Sequence, residues 1–429
     1  MLLESDVTIA YRDTALPGLT TLLNPVAFVD TLRRALPGLV LESATPVYIS
    51  YKPSKEYLIG YRLTVNGEPV YINAKTYSQD RATRKLSKAR RNPGVAGPLG
   101  TGRLALDEIA TVVSVYPNDD KINTLSLLAN DQSQAQVLRE LLPERPDLWQ
   151  GTLHHLKYKP ERRAVLRLDC GGEPHAVLKL YKSSGYDTAR QIYQRFTSRG
   201  AFRVAPDVGR SDHHQTLSFG WLAGRLLSKA MKDPGFSPSE LQPVGAALAE
   251  LHAQDGDGLP RQTGADIARD LMTAASTLGV LVPAIATRIQ TLVQRLAVCL
   301  SNIARCDRPI HGDFCAQQVL IDGDWAAIID FDQAKQGDPA TDLGMFIANM
   351  ERNVIRGRLM AERVDTLKAD LLKGYAGASG KPIVPHLNIF VAALLLRHAE
   401  KFFRHRSPDW PQLIETTVAR TEAIFEEAW

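Results

Sequence analysis

Two short segments hold the residues best suited to chemistry. Ile310-His311-Gly312-Asp313-Phe314-Cys315-Ala316-Gln317-Gln318 and Ile328-Ile329-Asp330-Phe331-Asp332 each set an acid at the tip of an apolar run. A carboxylate in such a place is costly without partners, so it serves either hydrogen-bonded structure or catalysis. Phosphoryl transfer supplies a reason for this set. One carboxylate must orient an attacking hydroxyl, and a second acid with an amide oxygen nearby must hold the metal that bridges the phosphates. On that reading Asp313 accepts the hydroxyl proton, Gln318 lends an oxygen to Mg²⁺, Asp330 binds Mg²⁺, and Asp332 is a further metal-side acid. His311 reads as a hydrogen-bonder that fixes the loop rather than as a metal ligand. Asp338 and Asp342 read as helix-capping and loop-bracing acids, and Cys315 lacks the basic neighbour that would mark a nucleophile.

The elements that must position these residues follow from periodicity. Residues 51–77, YKPSKEYLIGYRLTVNGEPVYINAKTY, are echoed at 158–181 by YKPERRAVLRLDCGGEPHAVLKLY. In each, period-two alternation flanks a turn, Asn66-Gly67 or Gly171-Gly172, which predicts a β-hairpin. A helix led by Asp80 or Asp187 as N-cap is expected after each. Strands are expected at 111–116, 309–311, 318–321 and 326–331. Helical spacing marks 132–142, 241–252, 287–299, 340–350, 361–376, 387–404 and 411–427. The Gly/Pro-rich stretch 92–102 punctuates, as does the Gly/Asp-rich loop 254–266. Hairpins first and helices later, with short strands set between the helices, predict a bilobal α+β enzyme.

Composition agrees with a folded globular chain, with 44% hydrophobic and 23% charged residues. A net charge of +4 over 429 residues is too small to be a footprint for nucleic acid. The local run of Arg81, Arg84, Lys85, Lys88, Arg90 and Arg91 reads as the solvated face and last turn of a helix, where its dipole favours cations. Four cysteines without a CxxC pair argue against a disulfide framework or zinc site. Met1 to Val7 lacks a signal-peptide pattern, and the apolar run Ile389 to Leu396 is far short of a membrane span, so a cytoplasmic location without membrane contact is expected.

With these motifs in place, the sequence resembles the aminoglycoside phosphotransferase and choline kinase superfamily, whose fold is that of protein kinases. The resemblance rests on HGDFCAQQVLI at 311–321, IIDFD at 328–332 and GDPATDL at 337–343, and it extends over roughly 150 to 429. It implies ATP and Mg²⁺ as cofactors and a small hydroxylated molecule as acceptor. In VLKLY it makes Lys179 the lysine that holds the phosphates. It makes Gly220-Trp221-Leu222-Ala223-Gly224 the linker between lobes, with Gly220 and Leu222 beside the nucleotide, and Leu248-Ala249-Glu250-Leu251-His252 the helix that follows.

Three departures stand out. Gln318 replaces the usual Asn, as in maltokinase-like sugar kinases. No Glu lies within 183–200 to pair with Lys179, where only Asp187, Gln191 and Gln194 offer side-chain oxygens of that kind. The phosphate loop at 157–163 carries cations, Lys159 and Arg163 among them, in place of glycines. The expected domains are an N-terminal cap over 1–105 resembling a duplicated N-lobe, a nucleotide-binding lobe and linker over 106–222, and a helical lobe over 223–429. Lys75 of the cap aligns with Lys179, but no catalytic segment follows it before the second copy, so the cap reads as structural or substrate-gating. Arg397, Glu400, Arg404 and Trp410 are the expected acceptor lining. A sugar or amino sugar is the expected acceptor, with an aminoglycoside-type antibiotic or a non-catalytic nucleotide-binding role as alternatives.

Overall fold

A computed structural model of the protein describes residues 3–380 and 386–427. The chain divides into two compact units, one made of 1–186, 208–219 and 402–410, the other of 187–207, 220–401 and 411–429. No helix is long and apolar enough to cross a membrane among the described residues.

The first unit contains the same supersecondary sequence twice. In the first copy, α1 (Glu4–Arg12), α2 (Leu19–Leu23) and α3 (Pro25–Ala35) precede β1 (Leu41–Lys52), β2 (Glu56–Val65) and β3 (Glu68–Tyr77). Helix α4 (Gln79–Arg91) and strands β4 (Arg103–Leu106) and β5 (Thr111–Val115) complete it. In the second, α5 (Thr124–Leu127) and α6 (Asp131–Leu141) lead into β6 (Thr152–Lys159), β7 (Arg163–Cys170) and β8 (Glu173–Tyr181). Then come α7 (Ser183–Ile192), β10 (Asp207–Ser211) and β11 (Thr216–Gly220), whereas the short β9 (Phe202–Arg203) that lies between α7 and β10 in sequence belongs to the second unit, where it pairs with the strand at Trp325–Ile328. The two five-stranded sheets have the same order, β1-β2-β3-β5-β4 and β6-β7-β8-β11-β10.

The expected hairpins are β2–β3 and β7–β8, turning at Asn66-Gly67 and Gly171-Gly172. The likeness extends to single hydrogen bonds. Asp13 Oδ2 accepts from Tyr51 Oη at 2.7 Å and from Ser54 N at 2.8 Å. Asp119 Oδ2 accepts from Tyr158 Oη at 2.7 Å and from Glu161 N at 2.8 Å. Each carboxylate thereby secures a Tyr-Lys-Pro turn whose fourth residue is left-handed, Ser54 at φ 59° and Glu161 at φ 55°. Leu138, Leu141, Leu148, Leu166, Leu168 and Leu178 form the core beneath the second sheet. The expected caps fall elsewhere. Helix α4 has Ser78 at its N-cap position and Asp80 in its first turn, and α7 begins at Ser183, four residues before Asp187.

The second unit is mainly helical. Strand β12 (Arg225–Leu226) and helix α8 (Leu227–Ala230) open it, followed by α9 (Leu241–His252), α10 (Gly264–Leu281) and α11 (Ala286–Asn302). Short strands β13 (Arg308–Ile310), β14 (Val319–Asp322), β15 (Trp325–Ile328) and β16 (Lys335–Gly337) lie between these and α12 (Ala340–Ile355). Helices α13 (Ala361–Ser379), α14 (Leu387–Arg397), α15 (Lys401–Arg404) and α16 (Trp410–Glu426) close the chain. Helices α9 and α13 pack so closely that a Cβ on Gly245 would meet the Leu371 carbonyl at 2.1 Å. The single helix expected over 387–404 is interrupted, because His398 N and Ala399 N turn back to Leu395 O and Leu396 O at 3.1 and 3.0 Å, a tightened last turn. This α+β architecture, a strand-rich unit holding an added N-terminal copy and a mainly helical unit, agrees with the expected α+β fold class.

Segment 402–410 is fastened within the first unit by a buried carboxylate. Asp6 is fully buried and accepts from Arg406 Nη2 and, at 3.2 Å, from Trp410 Nε1. Replacing Asp6 with Ala leaves the Arg406 charge buried without that partner. The expected loss is about 3–5 kcal/mol of stability, read from the denaturant unfolding midpoint of Asp6→Ala against wild type.

Candidate active site

A hairpin brings the two chemical segments together. Strands β14 and β15 pair antiparallel with Val319 opposite Ile328, and Ile329 N extends the ladder to Gln318 O at 2.9 Å. Gln318 and Asp330 therefore leave adjacent strands side by side, and Gln318 Nε2 donates to Asp330 Oδ2 at 3.1 Å. Asp330 is left-handed at φ 72°, a strained backbone for a non-glycine residue that turns the chain into the 3₁₀ turn Phe331–Gln333 holding Asp332.

Asp313 reaches the same place through His311. His311 Nδ1 accepts from Asp313 N at 3.2 Å, so its proton lies on Nε2, which donates to Ile329 O at 2.9 Å. Gly312 between them has φ 78°, and a Cβ there would meet Gln333 O at 2.2 Å. Only glycine fits that position. Behind the loop, Asp342 at the start of α12 is fully buried and accepts from His311 N at 2.6 Å, Gly312 N at 2.8 Å and His252 Nε2 at 3.0 Å. Asp338 accepts from Ala340 N at 2.8 Å and from His386 Nε2 at 3.0 Å. Phe331 packs on Phe196 in a tilted arrangement with ring centroids 4.6 Å apart and lies 5.1 Å from His311, which packs the turn against the loop.

Cations surround Asp313. Lys401 stands within electrostatic reach of Asp313, Cys315, Arg352 and Arg397. Burial, together with Arg352, pushes its ammonium down to about 7, while burial and the Asp313 charge push the Cys315 thiol up to about 11. Cys315 therefore stays protonated and unreactive near neutrality. Arg397 is partly buried, with Nη1 3.5 Å from Asp270 Oδ2.

Of the other expected positions, those of the first unit and the segment after it lie apart from this cluster in sequence. Lys179 is buried on β8 opposite Val165, its Nζ 5.5 Å from the Phe219 ring. Lys159 and Arg163 face each other across the end of the β6–β7 ladder. Gly220 ends β11 and Leu222 lies in the irregular segment beyond it. Among the expected acceptor residues, Arg397 and Glu400 are partly buried and act electrostatically on one another. Arg404 is also partly buried, at the end of α15. Trp410 is 1% exposed and spends its indole N–H on Asp6, so it serves the core of the first unit.

Two features escape a reading of motifs. Lys75, aligned with Lys179, is bound to the turn at Glu161 in the second copy: its Nζ lies 2.8 and 3.0 Å from the Glu161 carboxylate oxygens and 3.3 Å from Glu56. Asn73 Nδ2 also donates to Tyr158 Oη at 2.8 Å. The second is Arg352, which ends a helical stretch buried on every side, where a charged residue is itself the signal.

Family comparison comes after this geometry. Residues 159–380 match the sequence model of the phosphotransferase enzyme family. Similar solved structures include a choline/ethanolamine kinase family protein from Mesorhizobium loti, 18% identical, covering 69% of this chain and 95% of that one with a TM-score of 0.48. Another is aminoglycoside phosphotransferase APH(4)-Ia in a ternary complex with ADP and hygromycin B, 16% identical over 66% and 96% of the two chains at a TM-score of 0.47. A third is the GDP and kanamycin complex of APH(2")-IIIa, 13% identical over 68% and 98% at 0.47. No curated protein matches the sequence.

Two outcomes follow from the geometry. Lys75→Met should release the turn at Glu161, seen as faster backbone amide exchange at 158–163 than in wild type, with exchange in the β13–β16 pair unchanged. For Lys401, the folded group loses its proton near 7 whereas the unfolded one holds it to about 10.5. The unfolded state binds more protons in that window, so this residue makes stability rise with pH from about 7 to about 10.5. The difference in unfolding free energy between wild type and Lys401→Met should carry that slope.

Proposed function

The chain belongs to the phosphotransferase enzyme family, and from that premise we propose that it is an ATP- and Mg²⁺-dependent kinase that phosphorylates a hydroxyl of a small molecule, a sugar or amino sugar. The observation that carries this reading is the Gln318 amide against the Asp330 carboxylate at 3.1 Å, with Asp313 held to the same hairpin through His311.

The residues present suit a hard cation. Mg²⁺ takes oxygen ligands and keeps several waters while binding through one or two carboxylates. Asp330 and Asp332 offer carboxylates, and Gln318 offers an amide oxygen once its amide turns over from donating to Asp330. When bound, the ion supplies charge neutralisation at the phosphates.

The rest is done by the chain. Asp313 accepts a hydrogen bond from the acceptor hydroxyl, aims its oxygen, and takes its proton onto a carboxylate oxygen as the hydroxyl oxygen bonds the γ-phosphorus of ATP and the bond from this phosphorus to the bridging oxygen breaks, releasing ADP. His311 and Asp342 keep the Asp313 backbone from moving. Lys179 holds the phosphates as a point charge. Lys159 and Arg163 add charge at a turn that the Asp119 and Lys75 bonds hold in place of a flexible glycine loop. Gly220 and Leu222 flank the base.

The testing experiment is a panel of hydroxylated acceptors with ATP and Mg²⁺, scored by ADP release and by product mass. Asp313→Asn should bind ATP as wild type does while losing turnover by about two to four orders of magnitude. Undiminished turnover in a folded Asp313→Asn protein would remove Asp313 from the reaction.

A further inference from the structure

The surroundings of Asp313 carry a charge imbalance that phosphoryl transfer to a neutral sugar leaves unexplained. Arg352 is only 7% exposed, yet among the described residues only Nη2 of its guanidinium has a partner, the Asn349 Oδ1 at 2.6 Å. Its Nε and Nη1 are buried without a hydrogen-bond acceptor. The adjacent acid cannot serve it, because Glu351 is taken by Arg420 in a two-bond pair at 2.8 and 2.9 Å. Lys401 makes no side-chain hydrogen bond or ion pair among the described residues and lies within electrostatic reach of Arg352 and Arg397. Arg356 and Arg358 add further positive charge beside Arg352.

The acids facing this group are few. Asp270 pairs with Arg397, and Glu400 acts on Arg397 as well. For Arg352 and Lys401 the acid within reach is Asp313, with the protonated Cys315 thiol beside it. Buried donors without acceptors and cations crowded together are both costly. A planar oxyanion between them removes both costs, since a guanidinium presents parallel N–H donors matched to carboxylate or phosphate oxygens.

We infer that the acceptor is itself an anion, carrying a phosphate or carboxylate beside the hydroxyl to be phosphorylated, and that Arg352 and Lys401 hold this group near Asp313. The inference rests on the kinase reading of Asp313 and narrows its substrate class. It excludes a polycationic antibiotic, which this field repels, and favours a sugar phosphate or a sugar acid. Arg352 and Lys401 then act by binding and orientation, and the proton still passes to Asp313.

The test uses matched sets on one sugar skeleton, comprising the neutral sugar, its phosphate, its uronic acid and its amine, each assayed with ATP and Mg²⁺ on the full chain. The anionic members should exceed the neutral one in kcat/KM by about 100-fold or more, as expected of a site whose buried donors need a partner. Arg352→Gln and Lys401→Met should each shrink that ratio by about tenfold or more, chiefly through KM. Lys401→Met removes no side-chain hydrogen bond, so it keeps the test decisive if Arg352→Gln folds poorly. Preference between phosphate and uronate identifies the anion. Equal or better use of the neutral sugar or the amine, or an unchanged ratio in both variants, overturns the inference and leaves the kinase reading standing. Should no acceptor be phosphorylated, that reading falls for these sugars. Calorimetry with inorganic phosphate then decides: binding lost in both variants upholds the anion site, and binding equal in all three proteins overturns it.

Discussion

The carboxylate of Asp342 is the constraint on which the loop carrying Asp313 depends. It is fully buried at the start of α12, and both its oxygens are used: one accepts from Gly312 N, the other from His311 N and His252 Nε2. A carboxylate in such a place is tolerable only when its lone pairs are met by fixed donors. Helix α9, the loop before Asp313 and helix α12 must therefore keep one mutual geometry or leave the charge unmet. His252 is in turn fixed by the Tyr375 hydroxyl at 2.9 Å from α13. The loop is thus held from behind by three helices, while its front face, carrying Asp313, makes few structural bonds.

The two copies in the first unit show which parts of a lobe belong to folding and which to function. Both keep the sheet order, the hairpin, and an aspartate that binds a tyrosine hydroxyl and the amide of a left-handed turn residue. Those are local requirements of a tight turn at the edge of a sheet. Lys75 is paired with Glu56 and Glu161, so its charge is consumed inside the protein. The first copy retains the lobe's architecture and uses its lysine to brace a turn of the second.

Charge around Asp313 runs against the ordinary rule that buried ions are paired. Among the described residues, Arg352 carries two buried donors without acceptors. Such local violations, set in a unit whose other buried carboxylates, Asp342 and Glu351, are fully met, concentrate where a protein gives up stability for recognition.

Periodicity and motif chemistry determined a good part of this protein in advance. The paired hairpins, the late helices, and the grouping of Asp313, Gln318 and Asp330 are legible because each is encoded within a few residues: alternation for a strand, a glycine pair for a turn, an acid closing an apolar run. The N-terminal helices α1–α3, the first strand of each sheet, β10, β11 and α10 are not legible in this way, since short or mixed-polarity segments take their state from the sheets and helices they pack on. The split of 387–404, the start of α7 at Ser183 rather than beside Asp187, and the burial of Trp410 are likewise decided by long-range contacts. The same holds for the site's electrostatics. Sequence shows that Glu351 and Arg352 are neighbours, but only the tertiary structure decides that Arg420 takes the acid and leaves the arginine without it, because which charges meet depends on residues 69 positions apart in the chain.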